Sequence, residues 1–197
     1  MNSRLIILSF FIVLLSCSNN KAVEYKNYLS ARNPEPDSAL SELMKIAEID
    51  INTVSIFIDK SDFHLQIRSG DKIIKTYPVV FGSNTIDDKL KEGDKCTPEG
   101  IFKIRDLYPH KKWNKFLWLN YPTDESYKKH NQAKQNGDIK KNLSIGGEIG
   151  IHGVPNNNFK LIDDMNNWTL GCISLKNEHV DEIYEFVKVG TVVTIQK

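Results

Sequence analysis

The stretch "TVSIFIDKSDFHLQIRSGDKIIKTYPVVFG", residues 53–82, decides the fold class of this chain. Within it, apolar residues alternate with polar ones or run together over short lengths, as they do in β-strands. Residues 60–62 (KSD) and 69–71 (SGD) interrupt this pattern with sequences that are typical of tight turns. The stretch therefore predicts three strands joined by tight turns, which is an antiparallel meander.

Strand patterns continue towards the C-terminus. Four more strands are predicted in the segments GIFKIRDLY (residues 100–108), KFLWLNY (115–121), SIGGEIGIHG (144–153) and GTVVTIQK (190–197). One helix is predicted at residues 177–188, with Asn177 as its N-cap. Its buried face would be formed by Val180, Ile183, Tyr184 and Val187. Many strands with few helices predict a β-rich α+β domain over residues 51–197.

The N-terminal segment is typical of an export signal. Arg4 precedes an apolar run at residues 5–15, which is broken only by Ser9. This run is too short to cross a hydrocarbon core of about 30 Å, but it suits a signal peptide. Cys17 follows Leu-Leu-Ser directly, which resembles the lipobox of bacterial lipoproteins. The alternative is an ordinary signal peptide with an incidental cysteine.

The lipobox implies how the first fifty residues are organised. Residues 1–16 are predicted as the signal peptide, and Cys17 as the lipidated first residue of the mature protein. Residues 17–50 are predicted as a tether followed by a short helix, capped by Asp37 or Ser38. The apolar face of that helix would be formed by Leu40, Leu43, Met44 and Ala47. The lipid would hold the domain in the periplasm at the outer membrane, or at the inner one.

The charge balance and the cysteine content bear on the possible partners of the protein and on the possibility of a disulfide. Cleavage of the signal peptide would remove Arg4. The mature chain would then contain 25 of the 26 Lys and Arg residues and all 25 Asp and Glu residues. This balance argues against a nucleic-acid partner, since such binding needs a basic surface. Besides Cys17, the chain has Cys96 and Cys172. Two cysteines in an oxidising compartment permit a disulfide, but a domain of this size can bury a sufficient core without one.

Cys172 lies in the segment "WTLGCISL", residues 168–175, and His152 in "IHG", residues 151–153. A catalytic thiol needs a base within hydrogen-bond reach and backbone N–H groups where an oxyanion forms. Gly171 permits a turn that aims backbone amides at a substrate carbonyl. From the residues alone, Cys172 is either a nucleophile with His152 as its base or a buried structural thiol.

These segments resemble the L,D-transpeptidase catalytic (YkuD-type) family. The resemblance rests on "IHG", with sixteen residues between His152 and Thr169, on "TLGCISL", and on "GDKCTPEGIFKI" at residues 93–104. It implies a YkuD-type antiparallel β-sandwich with a few short helices. It also implies an enzyme that acts on peptidoglycan stem peptides through a Cys172 thioester, with His152 as general base and no cofactor or metal. The Gly153 carbonyl would orient the imidazole, and the Gly171 and Cys172 amides would bind the oxyanion.

Two departures from the family pattern bear on the reaction. Leu170 stands where the signature has His, and Ser174 stands where many members have Arg. This variant resembles the branch of YafK-type proteins, which cleave murein peptides. The residues expected to contact substrate are Trp168, Thr169, Leu170 and Ser174. Three functions stay open: a transpeptidase, an L,D-endopeptidase or carboxypeptidase using the same acyl-enzyme, and a non-catalytic peptidoglycan-binding lipoprotein.

The remaining polar residues carry no clear chemical signature. Residues 123–142, rich in Lys, Asn and Gln, are interpreted either as a mobile flap or as a polar loop. Asp163 and Asp164 are predicted to be solvated, and Trp113 and Trp118 to belong to the core. Ordinary surface or structural roles are predicted for four histidines: His64, His110, His130 and His179.

Overall fold

The structure, a computed structural model, describes residues 38–197. The signal peptide, Cys17 and most of the tether lie outside the described residues. The strands are β1 Val54–Asp59, β2 His64–Ser69, β3 Lys72–Pro78, β4 Gly100–His110, β5 Asn114–Leu119, β6 Gly150–His152, β7 Ile173–Ser174 and β8 Val192–Gln196. The α-helices are α1 Leu40–Ile46, α2 Asp124–Asn136, α3 Lys160–Asp163 and α4 Asn177–Phe186. None of these helices is long and apolar enough to cross a membrane.

The eight described strands form one curled sheet in the order β3-β2-β1-β8-β4-β5-β6-β7. The antiparallel meander of β1, β2 and β3 is confirmed, with Ile56 opposite Ile67. β8 lies between β1 and β4, parallel to the first and antiparallel to the second. β7 runs parallel to β6 at the other end of the sheet. The predicted fold class, β-rich with a few short helices, is confirmed, whereas the two parallel pairs were not predicted.

The alternating pattern of the strands supplies the main core. In β1, every second residue is buried, beginning at Val54. Ile56 and Ile58 pack in one apolar cluster with Ile67 of β2 and Val193 of β8. Burial of each such side chain stabilises the fold by about 1.5–3 kcal/mol. The core therefore joins the N-terminal meander to the C-terminal strand, and the rest of the sheet builds outward from them.

Helix α1 belongs to this core although it precedes the predicted domain start at residue 51. Leu40 is fully buried and Met44 is nearly so, and both join the main apolar cluster. The helix contacts β3 and α4. The prediction of its cap was wrong, because Ala39 occupies the N-cap position without a side-chain hydrogen bond. The Ser38 carbonyl instead accepts a hydrogen bond from Lys75 Nζ at 2.8 Å.

The inserted segment at residues 123–142 contains helix α2, so both interpretations of it were wrong. The helix begins with a capping box, in which the Thr123 and Ser126 side chains each bond to the other residue's backbone N–H. Such a box stabilises a helix start without any apolar run. His130 is buried and bonds through Nδ1 to the Leu90 carbonyl at 2.6 Å. The helix is thereby fixed on the loop that precedes β4.

Helix α4 differs from its prediction at both ends. Asn177 is its first residue rather than its cap, since Lys176 occupies the N-cap position. The Asn177 side chain is used elsewhere: its Oδ1 accepts a hydrogen bond from the Val154 N–H at 2.8 Å. The helix ends at Phe186, and its predicted apolar face packs on the core, with Val180 and Ile183 fully buried. Asn177 therefore ties the helix start to the chain that leaves β6.

Candidate active site

A closed turn presents Cys172. The Thr169 hydroxyl donates a hydrogen bond to the Cys172 carbonyl at 2.7 Å and accepts one from the Gly171 N–H at 3.1 Å. Gly171 has φ +139°, and a Cβ there would lie 2.7 Å from the Cys96 carbonyl oxygen. Only glycine fits this position, because a side chain would meet backbone that cannot move aside. The turn thus holds Cys172 at a fixed point directly before β7.

His152 is the last residue of β6 and is almost fully buried. Its Nδ1 donates a hydrogen bond to the Gly153 carbonyl at 2.7 Å, which leaves Nε2 as the acceptor of the neutral ring. The Gly153 N–H donates in turn to the Trp113 carbonyl at 2.9 Å. A Cβ on Gly153 would lie 2.1 Å from Asn177 Oδ1. The ring orientation therefore depends on a tightly packed backbone.

Three aromatic side chains surround the His152 ring. Trp113 stacks on it at 4.6 Å between ring centroids, and Phe116 at 5.8 Å. Trp168 meets it edge-on at 5.6 Å. A fourth ring, His110, stacks on Trp113 at 4.5 Å. Trp113 is only partly buried and lies against His152, so its predicted position in the core was wrong. The structural role predicted for His110 stays a prediction, and its ring packs on Trp113.

His152 ends β6, and Cys172 directly precedes β7, the strand that pairs with β6. β6 and β7 pair in parallel, with Ile151 opposite Ile173, and Cys172 immediately precedes Ile173. The Cys172 thiol donates a hydrogen bond to the Glu148 carbonyl at 3.4 Å. Cys172 is half-buried, so a substrate has access to it. Cys96 and Cys172 are both free thiols, so the disulfide alternative was wrong.

Both groups are uncharged in the resting site. Burial raises the pKa of the Cys172 thiol to about 11, although the Gly150 N–H would donate to the thiolate and opposes this shift. Burial lowers the pKa of His152 to about 4, against the opposing effect of its bond to the Gly153 carbonyl. At neutral pH the pair is therefore a thiol and a neutral imidazole. Such a pair performs general-base chemistry rather than starting as an ion pair.

A family model for the L,D-transpeptidase catalytic domain, YkuD, matches residues 53–195. The chain belongs to the YkuD family. The match spans β1 to β8 and includes both His152 and Cys172. No curated protein matches this YkuD chain in sequence.

Solved structures resemble the YkuD domain in fold. The helical cell shape determining protein Pgp2 from Campylobacter jejuni is 21% identical with a TM-score of 0.55, and the match covers 74% of this chain and 48% of that one. Bd1075 from Bdellovibrio bacteriovorus is 20% identical with a TM-score of 0.51, and the match covers 73% and 48% of the two chains. The matched part is thus about half the length of these proteins. At such identities the likeness shows the fold alone.

The YkuD domain places the four predicted substrate-contacting residues differently. Leu170 is 76% exposed beside the nucleophile, and Trp168 is half-buried against His152. Thr169 is buried and its hydroxyl is used within the turn. Ser174 is fully buried and donates to the Gly153 carbonyl at 3.4 Å. The prediction that Thr169 and Ser174 contact substrate is therefore corrected: both are buried and hydrogen-bond to the backbone that forms the site.

One of the two predicted oxyanion donors is also corrected. The Gly171 N–H already donates to the Thr169 hydroxyl within the turn. It therefore has no free hydrogen for a substrate oxygen while the turn keeps this shape. Glycine at position 171 indicates backbone freedom, but the sequence does not indicate that the Thr169 hydroxyl accepts a hydrogen bond from the Gly171 N–H.

The loop between β3 and β4 supports the nucleophile turn. The Cys96 backbone lies against Gly171, and the Cys96 thiol donates to the Asp94 carbonyl at 3.4 Å. Burial and the neighbouring Asp94 carboxylate raise the pKa of Cys96 to about 11, which makes this thiol unreactive. Asp94 forms a buried ion pair with Lys89 at 2.9 Å. Cys96 is thus a structural neighbour of the site.

The other titratable residues singled out by the sequence lie apart from this cluster. His64 is buried in β2, and burial lowers the pKa of His179 in α4 to about 4. Asp163 is partly exposed and pairs with Lys176 at 2.9 Å. Within residues 38–197, no group of three His, Cys, Asp or Glu side chains is arranged to hold a metal ion.

Proposed function

We propose that this chain is a cell-wall L,D-transpeptidase that acts on peptidoglycan stem peptides. One observation carries the proposal: a rigid turn presents Cys172 next to the strand whose last residue, His152, keeps Nε2 open as a proton acceptor. The match to an L,D-transpeptidase catalytic domain supports acyl transfer as the reaction class, and the acyl group would be carried as a thioester on the thiol. Cys172 is the nucleophile and His152 the general base.

The first half-reaction forms the thioester. The Cys172 sulfur attacks the carbonyl carbon of an L-centre in the stem peptide while its proton passes to His152 Nε2. The C–N bond then breaks, and the proton on His152 moves to the leaving amine. Because the pKa values of the two groups are about 11 and about 4, a free thiolate would be rare. Proton transfer therefore accompanies attack, after the thiol turns away from the Glu148 carbonyl.

The second half-reaction regenerates the enzyme. An acceptor amine attacks the thioester carbonyl, its proton passes to His152, and the C–S bond breaks as the sulfur takes the proton back. Water in place of the amine would give hydrolysis by the same steps. The Cys172 N–H is the donor that we assign to the oxyanion of both half-reactions, since the Gly171 N–H is already used.

We also propose that the chain is a lipoprotein of the periplasm, attached at Cys17 to the outer or inner membrane. The support is the apolar run before Leu-Leu-Ser-Cys, which resembles a lipobox. Peptidoglycan lies in the same compartment as a lipid anchor of this kind. The enzyme and its proposed substrate would therefore meet at the membrane surface.

A product analysis tests the proposed reaction. The full-length protein, purified in detergent, is incubated with a disaccharide tetrapeptide and an excess of an amine acceptor, and the products are read by mass spectrometry. A transpeptidase gives the cross-linked or amine-exchanged tripeptide with loss of the terminal D-residue. Release of hydrolysed tripeptide alone would replace the proposal by an L,D-carboxypeptidase.

Two cysteine variants show whether the assigned thiol is responsible. Cys172→Ala should abolish all products while leaving the melting temperature nearly unchanged. Cys96→Ala removes a thiol that the site does not use, so product formation should continue. If neither the native protein nor Cys96→Ala forms any product, the non-catalytic binding function would be favoured instead.

A further inference from the structure

A cavity of about 430 Å³ opens beside the candidate active site. Its walls are the turn between β4 and β5, the turn that follows β6, and the first residue of α4. Its polar lining includes His110, Lys111, Lys112, Asn156 and Asn157. None of them belongs to the machinery assigned to the proposed reaction.

The cavity residue His110 is separated from the catalytic base, His152, by the Trp113 ring. Trp113 stacks on His152 at 4.6 Å and on the cavity residue His110 at 4.5 Å. Val154, two residues after His152, forms part of the cavity wall. Trp113 and Val154 therefore connect the cavity wall to the catalytic base.

The charge of the cavity is positive. Lys111 and Lys112 are exposed on its rim, and neither forms an ion pair within residues 38–197. No carboxylate lines the cavity. The carboxylate of Asp181, on the nearby helix α4, is engaged by Asn114 Nδ2 at 2.9 Å and by Lys115 at 3.5 Å. The two cationic side chains of the rim are thus left for a ligand.

The neutral polar groups of the cavity also present donors. His110 Nδ1 accepts hydrogen bonds from the Lys112 and Trp113 N–H groups, both at 3.2 Å. The ring proton of neutral His110 is therefore on Nε2, which is a donor. The Asn157 side-chain oxygen accepts a bond from Asn177 Nδ2, which leaves the Asn157 NH₂ group as a donor. Ammonium, imidazole and amide donors together match a carboxylate.

We propose that this cavity binds a carboxylate of the stem peptide, through Lys111 and Lys112. The inference rests on the proposed function and adds a subsite to it. Ser174, two residues after Cys172, is neutral and fully buried. A carboxylate near the nucleophile would therefore be held from the β4–β5 turn rather than from β7, the strand that follows Cys172.

Binding measurements on the full-length Cys172→Ala protein test this subsite without turnover. Isothermal titration at low salt compares a stem tetrapeptide with the same peptide in which the carboxylates are amidated, each with and without its disaccharide. The Lys111→Ala/Lys112→Ala variant should bind the acidic tetrapeptide about tenfold more weakly, as expected for two partly exposed charge pairs. Amidation should weaken binding to the parent by a similar factor, and it should have little further effect on the variant.

A matched control separates the subsite from the net charge of the protein. Lys45→Ala/Lys72→Ala removes the same charge from exposed positions on α1 and β3, and it should bind like the parent. If the acidic and amidated peptides bind the parent equally, or if neither binds, the proposal is overturned. A parent that binds the acidic peptide selectively but forms no product with Cys172 present would retain the subsite and lose the proposed function. If the disaccharide alone accounts for binding, the carboxylate assignment also fails.

Discussion

His152 and Cys172 start the proposed reaction without charge, and this determines its pH range. His152 must be neutral to accept a proton, and its pKa is lowered to about 4 by burial. The Cys172 thiol must keep its proton until attack, and its pKa is raised to about 11. Activity is therefore lost only when the pH falls through the first value or rises through the second.

We predict that kcat/KM is nearly constant from about pH 5 to about pH 9, since this parameter reports the free enzyme. The measurement is initial rate against pH at low substrate concentration, with circular dichroism at each pH to exclude unfolding. An acidic limb near the ordinary histidine pKa of about 6.5 would contradict the buried, neutral base. A bell-shaped curve bounded by the ordinary pKa values of histidine, about 6.5, and cysteine, about 8.5, would show that burial shifts neither group in the working enzyme.

Gly171 is predicted to be irreplaceable by alanine. At φ +139°, a Cβ would meet the Cys96 carbonyl oxygen at 2.7 Å, so Gly171→Ala must shift the turn that presents Cys172. A displacement of about 1 Å lowers the rate by about 100-fold. Gly93→Ala is the matched control, because Gly93 also has positive φ, +76°, but its Cβ would meet nothing within 4 Å. Equal kcat values for the two variants would contradict this account.

The sequence was informative about the reacting pair and less so about its surroundings. Cys172 and His152 belong to short motifs that correspond to local structure: His152 ends β6, and Cys172 lies in the turn before β7. Two of the three aromatic residues around His152, Trp113 and Phe116, come from β5 and the turn before it, and they reach the imidazole because Phe116 pairs with His152 across the sheet. That register depends on the whole fold. The substrate contact predicted for Ser174 was wrong for a related reason: Ser174 is buried because β7 pairs with β6.

At the level of elements, local patterns predicted strands but not their partners. The turns at residues 60–62 and 69–71 fixed the β1–β3 meander because each joins adjacent strands. Nothing local indicates that β8 pairs with β1, or that β7 pairs with β6. Helix α2 was missed because it has few apolar residues and is stabilised by its cap and by contacts to the loop before β4. Its sequence signals lie at its ends: Thr123 followed three residues later by Ser126, acidic residues in the first turn, and Gly137 after the last turn.

Helix α1 is predicted to be part of the cooperative folding unit. Leu40 is fully buried, so Leu40→Ala should lower the free energy of unfolding by about 2–5 kcal/mol. Ile46, on the same helix, is 71% exposed, and Ile46→Ala should change it by less than about 0.5 kcal/mol. Urea unfolding of the full-length protein measures both. If the two variants unfold at the same urea concentration, α1 does not contribute to the stability of the domain.

For the whole molecule, Cys17 is predicted to carry the lipid. Labelling growing cells with radioactive palmitate should mark the wild-type chain and a Cys96→Ser control, and Cys17→Ser should carry no label. Fractionation after a high-salt wash should leave the wild-type chain with the membranes, as expected for an anchor with two or more acyl chains. A labelled Cys17→Ser protein would contradict the proposal.

The position of β8 gives the chain a particular order of assembly. β8 pairs with β1 over a long separation, from Ile56 to Val193, which is 193 − 56 = 137 positions. It is also the strand through which β1 and β4 are joined. While a ribosome still holds residues 192–196, the meander and the half of the sheet that carries Cys172 have no shared strand. Joining of the meander to the half of the sheet next to Cys172 therefore needs contacts over a long sequence separation, and such contacts form slowly.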